Sequence, residues 1–199
     1  MAKIGFKYVV AAPITAETAI ATTYGAGMSL GKGVSASLSV DVNEVTLYAD
    51  NMVAENLKEF KSGKLSLETD DLTYPVLGLL CGHTVTDNTL TANKDDAPKD
   101  VGVGFFGMVV RSGVKKYRAI WLHKAKFSEP NDELSTTGEK AEFKSSKIEG
   151  TLMATESGVW KDETITMFKS TGTLIPSTIP LSVICQYWKF PVYVGRILW

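Results

Sequence analysis

The stretch Val34–Val42, VSASLSVDV, alternates apolar side chains with serines and an aspartate. A period of two places the apolar residues on one side of an extended chain, so it predicts a β-strand with one buried face. The stretch Val45–Asn51, VTLYADN, keeps a β-type composition and stops at an Asp-Asn pair that favours a turn. Beyond the polar segment Ala54–Gly63, alternation returns in Lys64–Asp70, KLSLETD. We therefore expect two strands with a protruding polar loop between them.

A helix is predicted directly after this second strand, over Leu72–Leu80 in the stretch DDLTYPVLGLLCG. Asp70 or Asp71 is suited to capping its amino terminus, and Pro75 falls in the first turn, where a missing N–H is tolerated. Gly82 is suited to ending the helix in the left-handed conformation.

The remaining β-type segments surround this unit. A first strand is expected over 6–14, confined to an edge or ended by Pro13, and it is followed by a long loop over 15–33. The polar segment 83–100 predicts a surface loop or a small hairpin. Two β-rich runs, 101–110 and 115–127, flank a turn at Arg111-Ser112-Gly113, and a last one covers 143–157, with Phe143, Ile148 and Leu152 as candidate anchors. The chain is therefore mainly β with one helix.

The length, net charge and cysteine content limit the class of protein that this chain can be. A length of 199 residues fits one domain, or one domain with an appendage. The formal net charge of -1 gives no reason to expect nucleic acid or an anionic membrane as an obligatory partner. Cys81 and Cys185 are the only cysteines, which favours a reducing cytoplasm over a disulfide scaffold. The stretch MAKIGFKYVV lacks the apolar run of a signal peptide, so export by one is not expected.

The segment 173–199 differs from the rest of the chain. It contains Pro176, Pro180 and Pro191, five aromatic residues and no acidic residue. Its uncharged part is shorter than the ~20 residues of a membrane helix. We treat residues 1–172 as the domain and 173–199 as an extension, which is either an interaction surface or a non-native addition.

Several short motifs resemble catalytic or binding signatures without their context. GVGFFG at 102–107 matches the dinucleotide pattern in letters, but it lies inside a predicted strand, where glycines beside aromatic residues pack against neighbours. AGMSLGKG at 26–33 lacks the first glycine and the final Ser or Thr of a P-loop. The carboxylates lie in polar surroundings typical of solvated loops. No cofactor is predicted.

The domain contains one cysteine and two histidines, the side chains best suited to nucleophilic or metal chemistry. Cys81 precedes His83 by two residues. At the carboxyl end of a helix, however, the negative end of the dipole raises the pKa of a thiol and so does not activate it. Two histidines, His83 and His123, without a nearby cysteine or fixed carboxylate fall short of a metal site. We therefore expect a structural cysteine, no catalytic residue and no metal ligand.

The stretch Lys115–Lys126, KKYRAIWLHKAK, interleaves basic and aromatic residues, as proteins that bind single-stranded nucleic acid do. In a strand, Lys116, Arg118 and Ile120 share one face, while Tyr117, Ala119 and Trp121 share the other. The same pattern therefore also fits a charged face over a core face.

The order of short motifs resembles the major tail tube proteins of long-tailed bacteriophages, and most closely the phi13-type major tail protein group. The motifs are YVVAAPIT, TTYGAGMSLGKGVSASLSVD, LYADN, SGKLSLETDDLTYPVLGLLCG and SSKIEGTLMAT. Together they cover roughly residues 3–172.

This resemblance implies a two-sheet β-sandwich or barrel with a flanking α-helix and long loops. It further implies a non-enzymatic subunit that forms hexameric rings with copies of itself. The rings stack into a tube through which phage DNA passes without specific binding. Its other partners would be the tape measure and tail terminator proteins, with no membrane involved. Its location would be the virion tail, after assembly in the cytoplasm of the bacterial host.

In this family an extended loop between early strands reaches a neighbouring subunit or ring. By resemblance, that loop corresponds to Asp41–Phe60. The expected assembly residues are Tyr48, Asp50, Asn51, Glu55, Lys58 and Phe60.

Two alternatives stay open at the level of sequence. The first is the inner tube of a phage-tail-like bacteriocin or another contractile injection device. The second, from a different class, is a small β-barrel that binds single-stranded nucleic acid as a monomer, with an affinity that depends on salt.

Overall fold

The computed structural model describes residues 2–49, 52–111, 113–131 and 145–166. Asp50, Asn51, Phe143, Cys185 and the extension 173–199 lie outside these described residues. The elements in chain order are β1 (Ala2–Glu17), β2 (Thr22–Tyr24), β3 (Met28–Ser29), β4 (Gly33–Ala49), β5 (Met52–Thr69), α1 (Tyr74–Cys81), β6 (Thr84–Thr86), β7 (Thr89–Thr91), β8 (Val101–Arg111), β9 (Val114–Phe127), β10 (Ser146–Met153) and β11 (Lys161–Thr166).

Nine of the described strands form one antiparallel sheet. Its order is β2-β1-β8-β9-β10-β5-β4, with β3 pairing with β1 and β11 pairing with β9. The second sheet is the β6-β7 hairpin, whose turn residues Asp87 and Asn88 have φ values of 46° and 63°. Asx residues tolerate this left-handed conformation, which tight hairpin turns require. The mainly β class and the flanking helix are thereby confirmed.

The large sheet curls until its two ends pack over the same core. Leu30, just before β4, donates its backbone N–H to the Val9 carbonyl of β1 at 2.9 Å. A Cβ at Gly33 would collide with the Phe6 ring and would lie 3.0 Å from Val9 Cγ2, so the start of β4 approaches β1 as closely as a backbone allows. This close approach closes the core without a ladder between β1 and β4.

The main core lies inside the curl, and α1 covers one of its openings. Fully buried side chains come from β1, β5, β8, β9 and β10, and the helix adds Val76 and Leu80. The strand residues at the centre of this cluster are Val9, Leu65, Leu67, Val101, Val103, Leu122, Phe127, Ile148 and Leu152.

A second, smaller core lies on the other face of β1, β8 and β9. It comprises Val10, Ala12, Tyr24, Phe106, Ala119 and Trp121. Tyr24 packs edge-on against Trp121, with ring centroids 5.2 Å apart. These three strands are therefore buried on both faces, which explains why β8 and the centre of β9 show no simple alternation.

Two of the three glycines of GVGFFG provide the space for this second core. A Cβ at Gly102 would lie 2.5 Å from the Tyr24 ring, and one at Gly104 would lie 2.6 Å from Trp121 Cε3. The motif lies wholly within β8 and precedes no helix. Strand glycines packed beside aromatic side chains, the structural interpretation of this motif, are thereby confirmed.

Three local predictions were wrong. The polar segment after Asp41 is not a loop, because β4 and β5 continue as paired strands through Ala49 and Met52. The segment 15–33 contains the end of β1 as well as β2 and β3. Pro13 neither ends β1 nor lies on an edge strand, since it pairs with Val101 at the end of β8.

The helix was predicted correctly in place and end, but not in its cap. It runs from Tyr74 to Cys81, has Pro75 in its first turn, and ends at Gly82 with φ 85°. Thr73 occupies the N-cap position without a side-chain hydrogen bond. Asp70 instead accepts a hydrogen bond from the Lys32 backbone N–H at 2.6 Å, so it joins the start of β4 to the end of β5.

We expect Gly104→Ala to destabilise the fold, because the added Cβ would overlap the fully buried Trp121 ring. Overpacking of this kind costs about 1–3 kcal/mol. Gly107→Ala is the matched control, since a Cβ there meets nothing within 4 Å on the same strand. Urea unfolding of both variants measures the difference, and equal midpoints would contradict the packing argument.

Candidate assembly interface

The outer half of the β4–β5 hairpin, Val42–Ala49 with Met52–Phe60, is here called the arm. β10 pairs with β5 only over Gly63–Thr69, so within the described part of the chain the two strands of the arm pair only with each other. At about 3.3 Å per residue, Val42–Ala49 extends it by roughly 25 Å. A two-stranded ribbon of this kind is marginally stable alone and gains from a covering partner.

One face of the arm is apolar. Directly paired residues of antiparallel strands share a face, and Val45 pairs with Leu57. Alternation along β4 places Leu47 on the same side, Met52 shares it through its pairing with Ala49, and Glu55, opposite Leu47, is the charged member of this face. The four apolar side chains are 57–70% exposed, so this face has no cover among the described residues. An uncovered apolar patch of this kind marks an interaction surface.

The opposite face of the arm has Val42 and Phe60 at its base, and its middle is polar and internally bonded. Asn56 donates hydrogen bonds to Glu44 Oε1 at 2.5 Å and to Thr46 Oγ1 at 3.3 Å, and Lys58 Nζ lies 3.3 Å from Glu44 Oε1. The hydrogen bond from Asn56, followed by the Lys58 ammonium, lowers the pKa of Glu44. This network holds the two strands in register while the apolar face stays open.

Two bulges determine which side chains reach the apolar face. The register shifts between Asp41 and Val42, where β5 contains the extra residue Lys61. It shifts again between Leu47 and Tyr48, where β5 contains the extra residue Ala54. Each extra residue reverses the alternation of β5 relative to β4 and increases the local twist.

The structure distributes the six predicted assembly residues unevenly. Glu55 pairs with Leu47, so it lies within the apolar face between Leu57 and Met52, and Lys58 lies on the polar face. Phe60 stacks on Trp160 with ring centroids 4.5 Å apart, so the base of the arm is attached to its own domain.

Of the other three predicted positions, only Tyr48 is described, and only in its backbone. Tyr48 pairs with Val53 in the backbone register, while its side chain lies outside the described part. Asp50 and Asn51 also lie outside the described residues. The assignment of these positions to an assembly interface therefore stays a prediction.

The apolar face was not predicted from the sequence. Val45 and Leu47 alternate with Glu44 and Thr46, a period of two that is one residue out of phase with the pattern of Val34–Val42 and so indicates the other face of the strand. That signal was available on β4. On β5 it was hidden, because the two bulges break the alternation of Met52 and Leu57 with the core residues that follow.

A second cluster of chemical groups lies at the carboxyl end of α1. His83 Nδ1 is 2.8 Å from Asp96 Oδ2, and His83 Nε2 is 2.7 Å from Glu129 Oε2. Cys81 lies beside them, and its sulfur, a His83 nitrogen and a Glu129 oxygen are all within 4.8 Å of one another. The expectation that no cysteine and no fixed carboxylate lie near the histidines was therefore wrong.

The environment of this cluster shifts two pKa values. Burial and then the Glu129 carboxylate raise the pKa of the Cys81 thiol to about 11, so this thiol is no activated nucleophile. The predicted direction is confirmed, although burial rather than the helix dipole is the main cause. The hydrogen bond to Asp96, followed by that to Glu129, raises the pKa of His83.

His123 lies in a different cluster from His83. Its Nδ1 is 3.0 Å from the Tyr24 hydroxyl, and its Nε2 is 3.0 Å from Asp162 Oδ2. The Tyr24 hydroxyl also donates to the His123 carbonyl at 2.9 Å. This network joins β2 and β11 to β9 across the second core, and burial raises the pKa of Tyr24 to about 12.

Three basic residues of β9, Arg118, Lys124 and Lys126, form ion pairs within the chain. Arg118 makes two hydrogen bonds of 2.7 Å to Glu163, and Lys124 Nζ lies 2.6 Å from Glu17 Oε2. Trp121 is fully buried, so it cannot stack on a base. This arrangement favours the structural interpretation of Lys115–Lys126 over the nucleic-acid interpretation.

The chain was compared with protein-family models and with curated proteins. No protein-family model matches the chain, and no curated protein gives a significant match. Among the described residues, no helix has the length and apolar character needed to cross a membrane.

The raised pKa of Tyr24 predicts a loss of stability in alkali. Between an ordinary pKa of about 10 and the folded value of about 12, the unfolded chain releases the phenolic proton and the folded chain retains it. This group therefore contributes stability below pH 10 that is lost as the pH rises. We expect roughly 1 kcal/mol of loss at pH 11.

Urea unfolding at pH 9 and pH 11 measures this effect in the unmodified chain and in Tyr24→Phe, which should show a smaller fall. Tyr74→Phe, at a half-exposed position, is the control and should keep the full fall. A Tyr24→Phe variant with an unchanged pH dependence would contradict the assignment.

Proposed function

We propose that this chain is a structural subunit of a bacteriophage tail tube, which assembles with copies of itself into stacked hexameric rings of the kind that the sequence resemblance implies. It works without catalysis. The tube conducts DNA, joins the tape measure and tail terminator proteins, and belongs to the tail of the virion after assembly in the host cytoplasm.

The observation that carries this proposal is the uncovered apolar face of the arm. Four exposed side chains, Val45, Leu47, Met52 and Leu57, lie on a ribbon that extends roughly 25 Å beyond the sheet. Full burial of such a side chain contributes about 1.5–3 kcal/mol, and each of these is more than half exposed. A neighbouring subunit that covers the face would gain about 1 kcal/mol from each side chain.

The outer edge of β4 supplies a second means of contact. Among the described strands, β4 pairs with β5 alone, so its other edge presents backbone N–H and C=O groups along Gly33–Ala49. Such an edge can pair with a strand of another copy. Contact between the arm of one subunit and a different surface of the next is heterologous, which generates rings when the rotation closes.

The charge balance is compatible with a conduit. The formal net charge is -1, and the cations Arg118 and Lys124 of β9 are held in ion pairs. A passage for DNA should not retain phosphates, and paired cations have little tendency to do so.

Electron microscopy of the purified full chain at high concentration tests the proposal. We expect rings or tubes for the unmodified protein and for Thr46→Lys, whose new side chain lies on the polar face beside Glu44. Val45→Lys places the same side chain on the apolar face, one residue away. Burying that ammonium is unfavourable, so the concentration needed for assembly should rise at least tenfold.

The two lysine variants distinguish the apolar face from the arm in general. Circular dichroism should show the same fold in both. Equal assembly of Val45→Lys and Thr46→Lys would contradict the role of the apolar face, and a persistent monomer of the unmodified chain under all conditions would contradict the tube.

Binding of oligonucleotides provides an independent test. The ion pairs of β9 and the burial of Trp121 predict negligible affinity of the monomer for single-stranded DNA at physiological salt. Fluorescence anisotropy with a labelled oligonucleotide measures this affinity. Tight binding that weakens with added salt would instead support the nucleic-acid-binding alternative.

A further inference from the structure

The cluster at the end of α1 contains the donor atoms of a transition-metal site. Cys81 Sγ, a ring nitrogen of His83 and a carboxylate oxygen of Glu129 all lie within 4.8 Å of one another. Two of the three ligands are held by the same turn. Cys81 is the last residue of α1, Gly82 turns the chain with φ 85°, and His83 follows directly. Glu129 arrives from another element, two residues after the end of β9.

The geometry of the histidine is suited to coordination. Asp96 accepts from His83 Nδ1 at 2.8 Å and is itself fixed by the Asn93 backbone N–H at 2.9 Å. On the opposite side of the ring, Nε2–H donates to Glu129 Oε2 at 2.7 Å, so a metal ion bound there takes the place of this proton. Ligand histidines in metalloproteins commonly have such a carboxylate on the other nitrogen. The His83 side chain is only 7% exposed, so its orientation is held by packing as well.

The combination of donors selects the metal. Thiolate and imidazole disfavour Mg²⁺ and Ca²⁺, which prefer oxygen ligands, and they suit Zn²⁺. Tetrahedral bonds of about 2.0–2.3 Å separate neighbouring donors by roughly 3.3–3.8 Å. The Cys81, His83 and Glu129 atoms need only sub-ångström to ångström shifts to reach these separations, because Glu129 is 59% exposed and free to adjust its rotamer.

We propose that Cys81, His83 and Glu129 bind one Zn²⁺ ion, with water as the fourth ligand and Asp96 as the residue that positions His83. The thiol proton of Cys81 and the Nε2 proton of His83 pass to solvent as the sulfur–zinc and nitrogen–zinc bonds form. The ion joins the end of α1 to the end of β9, on elements that belong to the domain and not to the arm. This inference is independent of the proposed tail-tube function.

The test uses the purified full chain after treatment with a chelator. Co²⁺ serves as the spectroscopic probe, because a thiolate ligand produces a sulfur-to-cobalt charge-transfer band, and Zn²⁺ is then added as the competitor. We expect one Co²⁺ per chain, displaced by Zn²⁺. Cys81→Ser should abolish the charge-transfer band, whereas Cys185→Ser, which changes the only other cysteine, should keep it.

Asp96→Asn keeps all three ligands and tests the positioning role separately. Loss of a carboxylate that hydrogen-bonds a ligand histidine lowers metal affinity by about 10–100-fold. We therefore expect weaker Co²⁺ binding with an unchanged charge-transfer band. Circular dichroism establishes that each variant is folded. Failure of the unmodified chain to bind Co²⁺ or Zn²⁺ at micromolar concentration would overturn the proposal, as would a charge-transfer band that survives Cys81→Ser.

Discussion

The antiparallel ladder between β4 and β5 is the interaction on which the rest of the structure depends. It runs from the Gly33–Thr69 pair to the Ala49–Met52 pair and thus spans both the domain and the arm. In its inner half, β5 also pairs with β10, and Leu65 contributes to the main core. In its outer half the same ladder has no further neighbour in the described residues. One continuous pairing therefore connects a well-buried core to an uncovered surface.

The arm extends from a domain whose central strands are buried on both faces. β1, β8 and β9 separate the main core from the smaller core around Trp121. Gly102 and Gly104 allow the aromatic rings of that smaller core to lie directly on the strand backbone. The Tyr24–His123–Asp162 network then joins β2 and β11 to the same face.

Features with a local signal were predictable from the sequence. The alternation of Val34–Val42 gave its strand correctly, and Gly82 gave the end of the helix. The helix cap was not predictable, because Asp70 is engaged by Lys32, which lies 38 residues earlier in the chain. The arm was misread as a loop, since its β5 side is polar and interrupted by bulges. Hydrophobic periodicity detects a strand only where one face is buried.

Groups brought together by the fold were likewise beyond sequence analysis. Glu129 follows His83 by 46 residues, and Asp162 follows His123 by 39. No spacing rule predicts which of the many carboxylates of the chain meets a given histidine, because that depends on which strands and loops become neighbours. The smaller core was missed for a similar reason, since both faces of β9 are apolar at its centre.

The bulge at Lys61 makes the arm sensitive to the parity of chain length. On the domain side of this bulge, the odd-numbered Leu65 and Leu67 of β5 point to the core. On the outer side of the bulge, the odd-numbered Leu57 points to the opposite face. Losing one residue at this point would turn the β5 half of the apolar face inward, whereas losing two would preserve its direction. Single-codon deletions and insertions here should therefore be eliminated during evolution, while changes in steps of two residues can lengthen or shorten the arm.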